Sequence, residues 1–117
     1  MSLDNTINQQ IHDFTKVLDE RVCNDIVVLD MTTVSPLYDV FIIASVDSIR
    51  QANAVVGYIE EMSEKKGYPL KHINGLSQSE WILMDYGSII IHLFTPKARN
   101  TYNLERLWGD CERITWQ

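Results

Sequence analysis

The sequence lacks the features that would place the chain in a membrane, in an oxidising compartment or around a metal ion. No apolar run reaches the roughly 18–20 residues of a membrane-spanning helix. No signal peptide is expected ahead of the fold, and a cytoplasmic location is predicted. Cysteine is scarce, and Cys23 and Cys111 are too far apart for a metal-type spacing, so both are expected to be reduced thiols. The three histidines, His12, His72 and His92, have no ligand spacing either.

Positive charge is also in short supply. The 117 residues contain 10 Lys and Arg against 16 Asp and Glu, which gives a formal net charge of −6. Proteins that bind nucleic acids mainly through phosphate groups need clustered basic side chains. The composition therefore argues against a nucleic-acid partner, and no direct nucleic-acid specificity is expected. It is compatible with a basic protein partner.

Signatures of catalysis are missing as well. The sequence contains no Walker A loop, no GxSxG elbow and no HExxH motif. Two-metal phosphoryl transfer usually needs two acids spaced two residues apart on one strand face. Asp39 is followed by Val40 and Phe41, so the second acid is absent there. We therefore predict no catalytic residue, metal or cofactor, and we keep a small nucleotide-binding enzyme as the alternative.

The apolar content of 45% is sufficient for one hydrophobic core, and the length favours a single domain over residues 1–117. An inward stripe of Ile7, Ile11, Phe14, Leu18 and Val22 predicts a first helix. Helices are predicted at 4–22 and 48–66, strands at 26–31, 39–45, 68–73, 81–85 and 89–95, and a helical tail after Pro96. This order predicts an α+β fold with α/β-type layers, in which helices pack on one mixed β-sheet of about five strands.

The last hairpin and the tail hold the most informative residues. Aromatic side chains stand beside acids there, as Trp81 does after Glu80, and such pairs are typical of surfaces that meet a partner. Trp81 opens a strand after a polar loop and is expected to be partly exposed. His92 shares a strand face with Ile90 and Phe94, and a hydrogen-bonded sheet histidine is favoured over a catalytic base. For Trp108, a core position and a contact position both remain open.

Several motifs occur in a familiar order. The strand IVVLDM is followed by Ser35 and by DVFIIAS, and then by an S-x-R-Q helix start at Ser48. Gly75 precedes WILMDYG, His92 and Phe94 form H-x-F, and the tail reads R-x-x-Y-x-L-E-x-L-W from Arg99. Over about residues 25–110, the chain resembles the ribosomal silencing factor (Iojap-like) family. It departs from the family pattern at Val46-Asp47 and at Ser88.

The resemblance implies a nucleotidyltransferase-like fold without paired catalytic acids, and a protein that is not an enzyme. It implies binding to the large ribosomal subunit through a basic ribosomal protein at the subunit interface, the fourteenth in the standard bacterial naming. The bound factor would block joining of the small subunit and repress translation, and the free protein would be a homodimer. We predict a partner-binding face formed or supported by Trp81, Asp85, Tyr86, His92, Phe94, Tyr102, Leu104 and Trp108.

Overall fold

A computed structural model describes residues 5–75, 79–103 and 111–116 of the chain. Within these ranges the helices are α1 (Asn5–Glu20), α2 (Ile49–Lys66) and α3 (Pro96–Tyr102). The strands are β1 (Asn24–Asp30), β2 (Val40–Ser45), β3 (His72–Asn74), β4 (Trp81–Asp85), β5 (Ile89–Phe94) and β6 (Glu112–Arg113). The predicted α+β class with one mixed sheet is confirmed. None of the described helices is long and apolar enough to cross a bilayer.

The sheet has the strand order β3-β4-β5-β2-β1-β6. The two central strands, β2 and β5, run parallel, from Val40 opposite Ile89 to Ser45 opposite Phe94. The other neighbouring strands are antiparallel. Every residue of β2 and β5 is buried, as expected for apolar strands covered on both faces. The strand predicted at 68–73 is shorter and begins later than expected, as β3, and it lies at one edge of the sheet.

The sheet separates two hydrophobic clusters. On one side, which we call the helix face, α1 and α2 pack against alternate residues of the central strands, such as Phe14 and Ile59 on Ile42. The opposite side, which we call the aromatic face, carries the other half of each strand, and α3 packs on part of it through Ala98. Strand alternation thus decides which side chains lie away from the two long helices.

Both long helices end in the same hydrogen-bond pattern, a Schellman motif. In α2 the left-handed position is Gly67, with φ of 79°, which glycine adopts without strain. In α1 it is Val22, with φ of 60°. The prediction that Val22 continues the inward stripe is therefore wrong, because the chain leaves the helix after Glu20 and Val22 is 71% exposed.

The segment that carries the last hairpin follows the prediction closely. The β4–β5 turn closes through a hydrogen bond from the amide of Tyr86 to the carbonyl of Ile89, with Gly87 at a positive φ of 91°. The tail forms α3, which is capped by Thr95 and ends at Asn103 in the left-handed conformation. Predicted residues beyond that point, among them Leu104 and Trp108, lie outside the described residues. Strand β6 was not predicted, because two residues are too few to carry a pattern.

Candidate functional site

Strand β4 divides its side chains cleanly between the two faces. Ile82 and Met84 are fully buried and pack under the helices. Trp81 and Leu83 are half-buried and pack with the cluster on the aromatic face, and Asp85 follows them in the same alternation. The strand therefore presents a line of side chains on the side away from α1 and α2.

Trp81 is the centre of a group of rings on this face. Its ring centroid lies 5.8 Å from that of His92, 5.0 Å from that of Phe94 and 4.8 Å from that of Tyr102. The ring of Phe41, from β2, meets His92 edge-on at 4.7 Å. We call these five residues the aromatic cluster. Ring pairs at such separations add roughly 0.5–1.5 kcal/mol each beyond the area that they bury.

His92 is held as a neutral side chain within this cluster. Trp81 Nε1 donates a hydrogen bond to His92 Nδ1 at 3.1 Å, which places the imidazole proton on Nε2. Burial lowers the pKa of His92 to about 4, and Nε2 has no hydrogen-bond partner among the described residues. The prediction of a hydrogen-bonded sheet histidine is confirmed. So low a pKa does not suit a general base at neutral pH.

Exposure within the aromatic cluster is graded. Phe94 and His92 are 0% and 3% exposed, whereas Trp81 is half-buried, as predicted, and Tyr102 is 49% exposed. A shallow pocket of about 340 Å³ lies beside these last two rings, with Glu80 and Lys97 on its walls. The buried members thus form a rigid floor, and Trp81 and Tyr102 are the members that a partner can touch.

Not all of the predicted site residues join this cluster. Tyr86 lies on the helix face, 6% exposed, with its ring 4.7 Å from that of Phe14 and its hydroxyl 2.8 Å from Ser63 Oγ. Asp85 shares the aromatic face, but it lies four residues from Trp81, roughly 13 Å along the strand. Its Oδ1 accepts a hydrogen bond from the Gly87 amide at 2.7 Å. Asp85 therefore stands at the rim, and Tyr86 stabilises the hairpin from the other side.

Two members of this face were missed by the sequence analysis. Leu83 lies between Trp81 and Asp85 in the strand alternation, so the period of two already carried the signal. Phe41 lies beside His92 only because β2 pairs with β5 in parallel, in a register that aligns Phe41 with Ile90. That pairing has no local signature in the sequence.

The sequence of this chain is similar to those of a known protein family. A family model described as "Ribosomal silencing factor during starvation" matches residues 4–117. The chain belongs to the ribosomal silencing factor family. A relative named ribosomal silencing factor from Bacillus subtilis is 35% identical over 92 residues, which cover 79% of this chain and 78% of that protein.

One further relative and one solved structure extend the comparison. A mouse protein named "Mitochondrial assembly of ribosomal large subunit protein 1" is 34% identical over 95 residues, which cover 79% of this chain and 42% of the mouse protein. A crystal structure of a protein from Chromobacterium violaceum superposes with a TM-score of 0.81 at 26% identity, covering 92% of this chain and 88% of that one. The fold of this chain is therefore shared with a solved structure across most of its length.

Proposed function

We propose that this chain binds the large ribosomal subunit through a basic ribosomal protein at the subunit interface, the fourteenth in the standard bacterial naming. Once bound, it blocks joining of the small subunit and represses translation without catalysing a reaction. The observation that carries the proposal is the half-exposed pair of Trp81 and Tyr102 on the buried floor of the aromatic cluster. The names of the relatives, including the mouse protein named for the large subunit, support the choice of partner.

The exposed pair of rings has the properties of an interface anchor. Aromatic residues in a packed setting are over-represented among the side chains that dominate binding energy. The floor formed by His92 and Phe94 holds the rings before a partner arrives, so little side-chain entropy is lost on docking. Glu80 and Lys97 both lie beside the rings and balance each other in charge, so it is the net charge of −6 over the chain that favours a partner with exposed Lys or Arg. Such a cation can also stack on the tryptophan face.

The remaining predicted residues have supporting or peripheral roles in this proposal. Asp85 lies at the rim, where its carboxylate contributes to the encounter with a basic partner more than to the final affinity. Tyr86 stabilises the hairpin, and Leu104 and Trp108 stay proposed members of the face. A standard interface buries about 800 Å² per partner, roughly an eighth of the 6758 Å² surface of this chain. Steric exclusion of the small subunit needs only such occupancy.

Tyr102 offers the sharpest test, because its exposed ring can be removed at little cost to the core. Tyr102→Ala should weaken pelleting with purified large subunits by about thirtyfold, the effect of losing roughly 2 kcal/mol at an anchor. Tyr58→Ala is the matched control: Tyr58 is 41% exposed on α2, which packs on the helix face. Equal pelleting of the two folded variants would remove the aromatic cluster from the interface.

Light scattering of subunit mixtures tests the functional consequence. The parent protein should prevent the small and large ribosomal subunits from associating, and Tyr102→Ala should lose this effect in proportion to its loss of binding. Undisturbed joining in the presence of saturating, bound parent protein would refute the blocking step.

We also propose that the free protein is a homodimer, since a partly exposed apolar face favours self-association. Sedimentation equilibrium measures the oligomeric state directly.

A further inference from the structure

A second concave site lies away from the aromatic cluster. It is a polar cleft of about 600 Å³ at the carboxyl ends of β2 and β5, lined in part by Ser45 and Pro96, which lie at or just past the ends of these strands. It shares no lining residue with the pocket beside Trp81. In open α/β sheets, ligands bind in the crevice outside the carboxyl ends of the parallel strands, and this cleft has the corresponding place beside β2 and β5. The volume is within the range of small-molecule sites.

Arg99 forms one wall of this cleft in a fixed position. Its Nη1 donates to Ser45 Oγ at 2.9 Å, and its Nη2 donates to the backbone carbonyl of Asp25 at 2.7 Å. These bonds tie α3 to β1 and β2 at one point. A guanidinium held in this way loses little freedom when it binds an anion.

The backbone of β1 is irregular at the same place. Its pairing with β2 shifts register between Asn24 and Val27, and Asp25 between them has a positive φ of 49°. Bulges are over-represented beside active and binding sites, where they redirect side chains. Here the bulge brings Asn24 and Asp25 into the lining of the cleft.

The chemistry of the lining is specific. Arg113 on β6 also lines the cleft, so two of the chain's five arginines share one concave site in an acidic protein. Guanidinium groups match phosphate oxygens in geometry and charge. Asp25 and Asp47 also line the cleft, and carboxylates accept hydrogen bonds from hydroxyl groups. The lining thus combines donors for an oxyanion with acceptors for a polyhydroxylated group.

We propose that this cleft binds a small phosphate monoester that carries free hydroxyl groups, of the size of a nucleoside monophosphate. Arg99 and Arg113 contact the phosphate, and Asp25 and Asp47 receive the hydroxyls. The proposal concerns binding alone, and it stands whether or not the aromatic cluster docks on the ribosome.

Calorimetric titration with adenosine 5′-monophosphate, adenosine and inorganic phosphate tests the proposal on the full chain. The monophosphate should bind and raise the melting temperature, because a ligand of the native state stabilises it. Adenosine should bind at least about tenfold more weakly, since it lacks the group that the arginines contact. No binding of the monophosphate at millimolar concentration, or equal binding of adenosine, would overturn the proposal.

The variant Arg113→Gln tests whether the monophosphate binds in this cleft. Arg113 is exposed, so the variant should fold, and its affinity for the monophosphate should fall by about tenfold or more. Lys97→Gln is the matched control, because Lys97 is an exposed cation on α3 that lies outside the lining of the cleft. Asp47→Asn should weaken the monophosphate more than it weakens inorganic phosphate. An unchanged affinity in folded Arg113→Gln would refute the assignment, and pelleting of this variant with large subunits should equal that of the parent.

Discussion

The buried imidazole of His92 predicts a distinct loss of stability in mild acid. The pKa of His92 is about 4 in the folded protein, below the usual value of 6.5, because burial disfavours the charged form. Between about pH 6.5 and about pH 4 the unfolded chain therefore binds a proton that the folded chain does not bind. Lowering the pH from about 7 to about 5 should reduce the free energy of unfolding by about 2 kcal/mol through this one residue.

Urea unfolding at a series of pH values measures this effect, with His92→Asn as the comparison. Asparagine does not titrate, and its carbonyl oxygen stands one bond from Cγ, as Nδ1 does, so it can still accept the hydrogen bond from Trp81 Nε1. The variant can differ in stability at neutral pH, but its stability should fall less steeply between about pH 7 and about pH 5. The difference between the two slopes isolates His92. Parallel pH profiles of the parent and the variant would refute the reasoning.

Three further predictions concern stability and are measured by urea unfolding at neutral pH. Val22→Gly should stabilise the protein by about 1 kcal/mol, because a β-branched residue is strained in the left-handed conformation at the end of α1. The reverse change at the end of α2, Gly67→Val, should destabilise the protein for the same reason. Gly75→Ala should cost about 2 kcal/mol or more, since φ is 88° there and the added carbon would collide with a carbonyl oxygen of β4. Tyr86→Phe should cost only about 1 kcal/mol, because the Ser63 hydroxyl keeps its bond to a helix carbonyl. Changes of stability of the opposite sign would contradict the predictions for the two helix ends and for Gly75. A loss well above 2 kcal/mol would contradict the prediction for Tyr86→Phe.

Local patterns account for most of the fold that was predicted. Apolar runs identified β2 and β5, and Ser48 marked the start of α2, because caps and burial act over a few residues. The exit of α1 was missed since its left-handed position is occupied by Val22, a residue whose intrinsic preference is against that conformation.

The sequence placed members of the candidate site together only where they lie on the same strand. Period-two alternation placed His92 with Phe94, and the structure confirms that they share a face. Tyr86 was misplaced relative to that group because it follows the last residue of β4, where the chain turns and alternation ceases to apply. The polar cleft gathers residues from β1, β2, α3 and β6, so its composition depends on the tertiary arrangement of distant segments.

The parallel pairing of β2 with β5 also affects the order in which the sheet folds. It aligns Ser45 with Phe94, 49 positions apart in the chain, whereas β1–β2 and β4–β5 are joined by short connections. Contacts of such separation carry a larger loop-closure entropy and are slow to form. We expect β2 and β5 to pair late in folding, after the β1–β2 and β4–β5 hairpins have formed. Phe41 contacts His92 only across this pair of strands, so the aromatic cluster is complete only once β2 and β5 have paired. Under the proposed function, the chain would therefore gain its affinity for the ribosome only at this late step of folding.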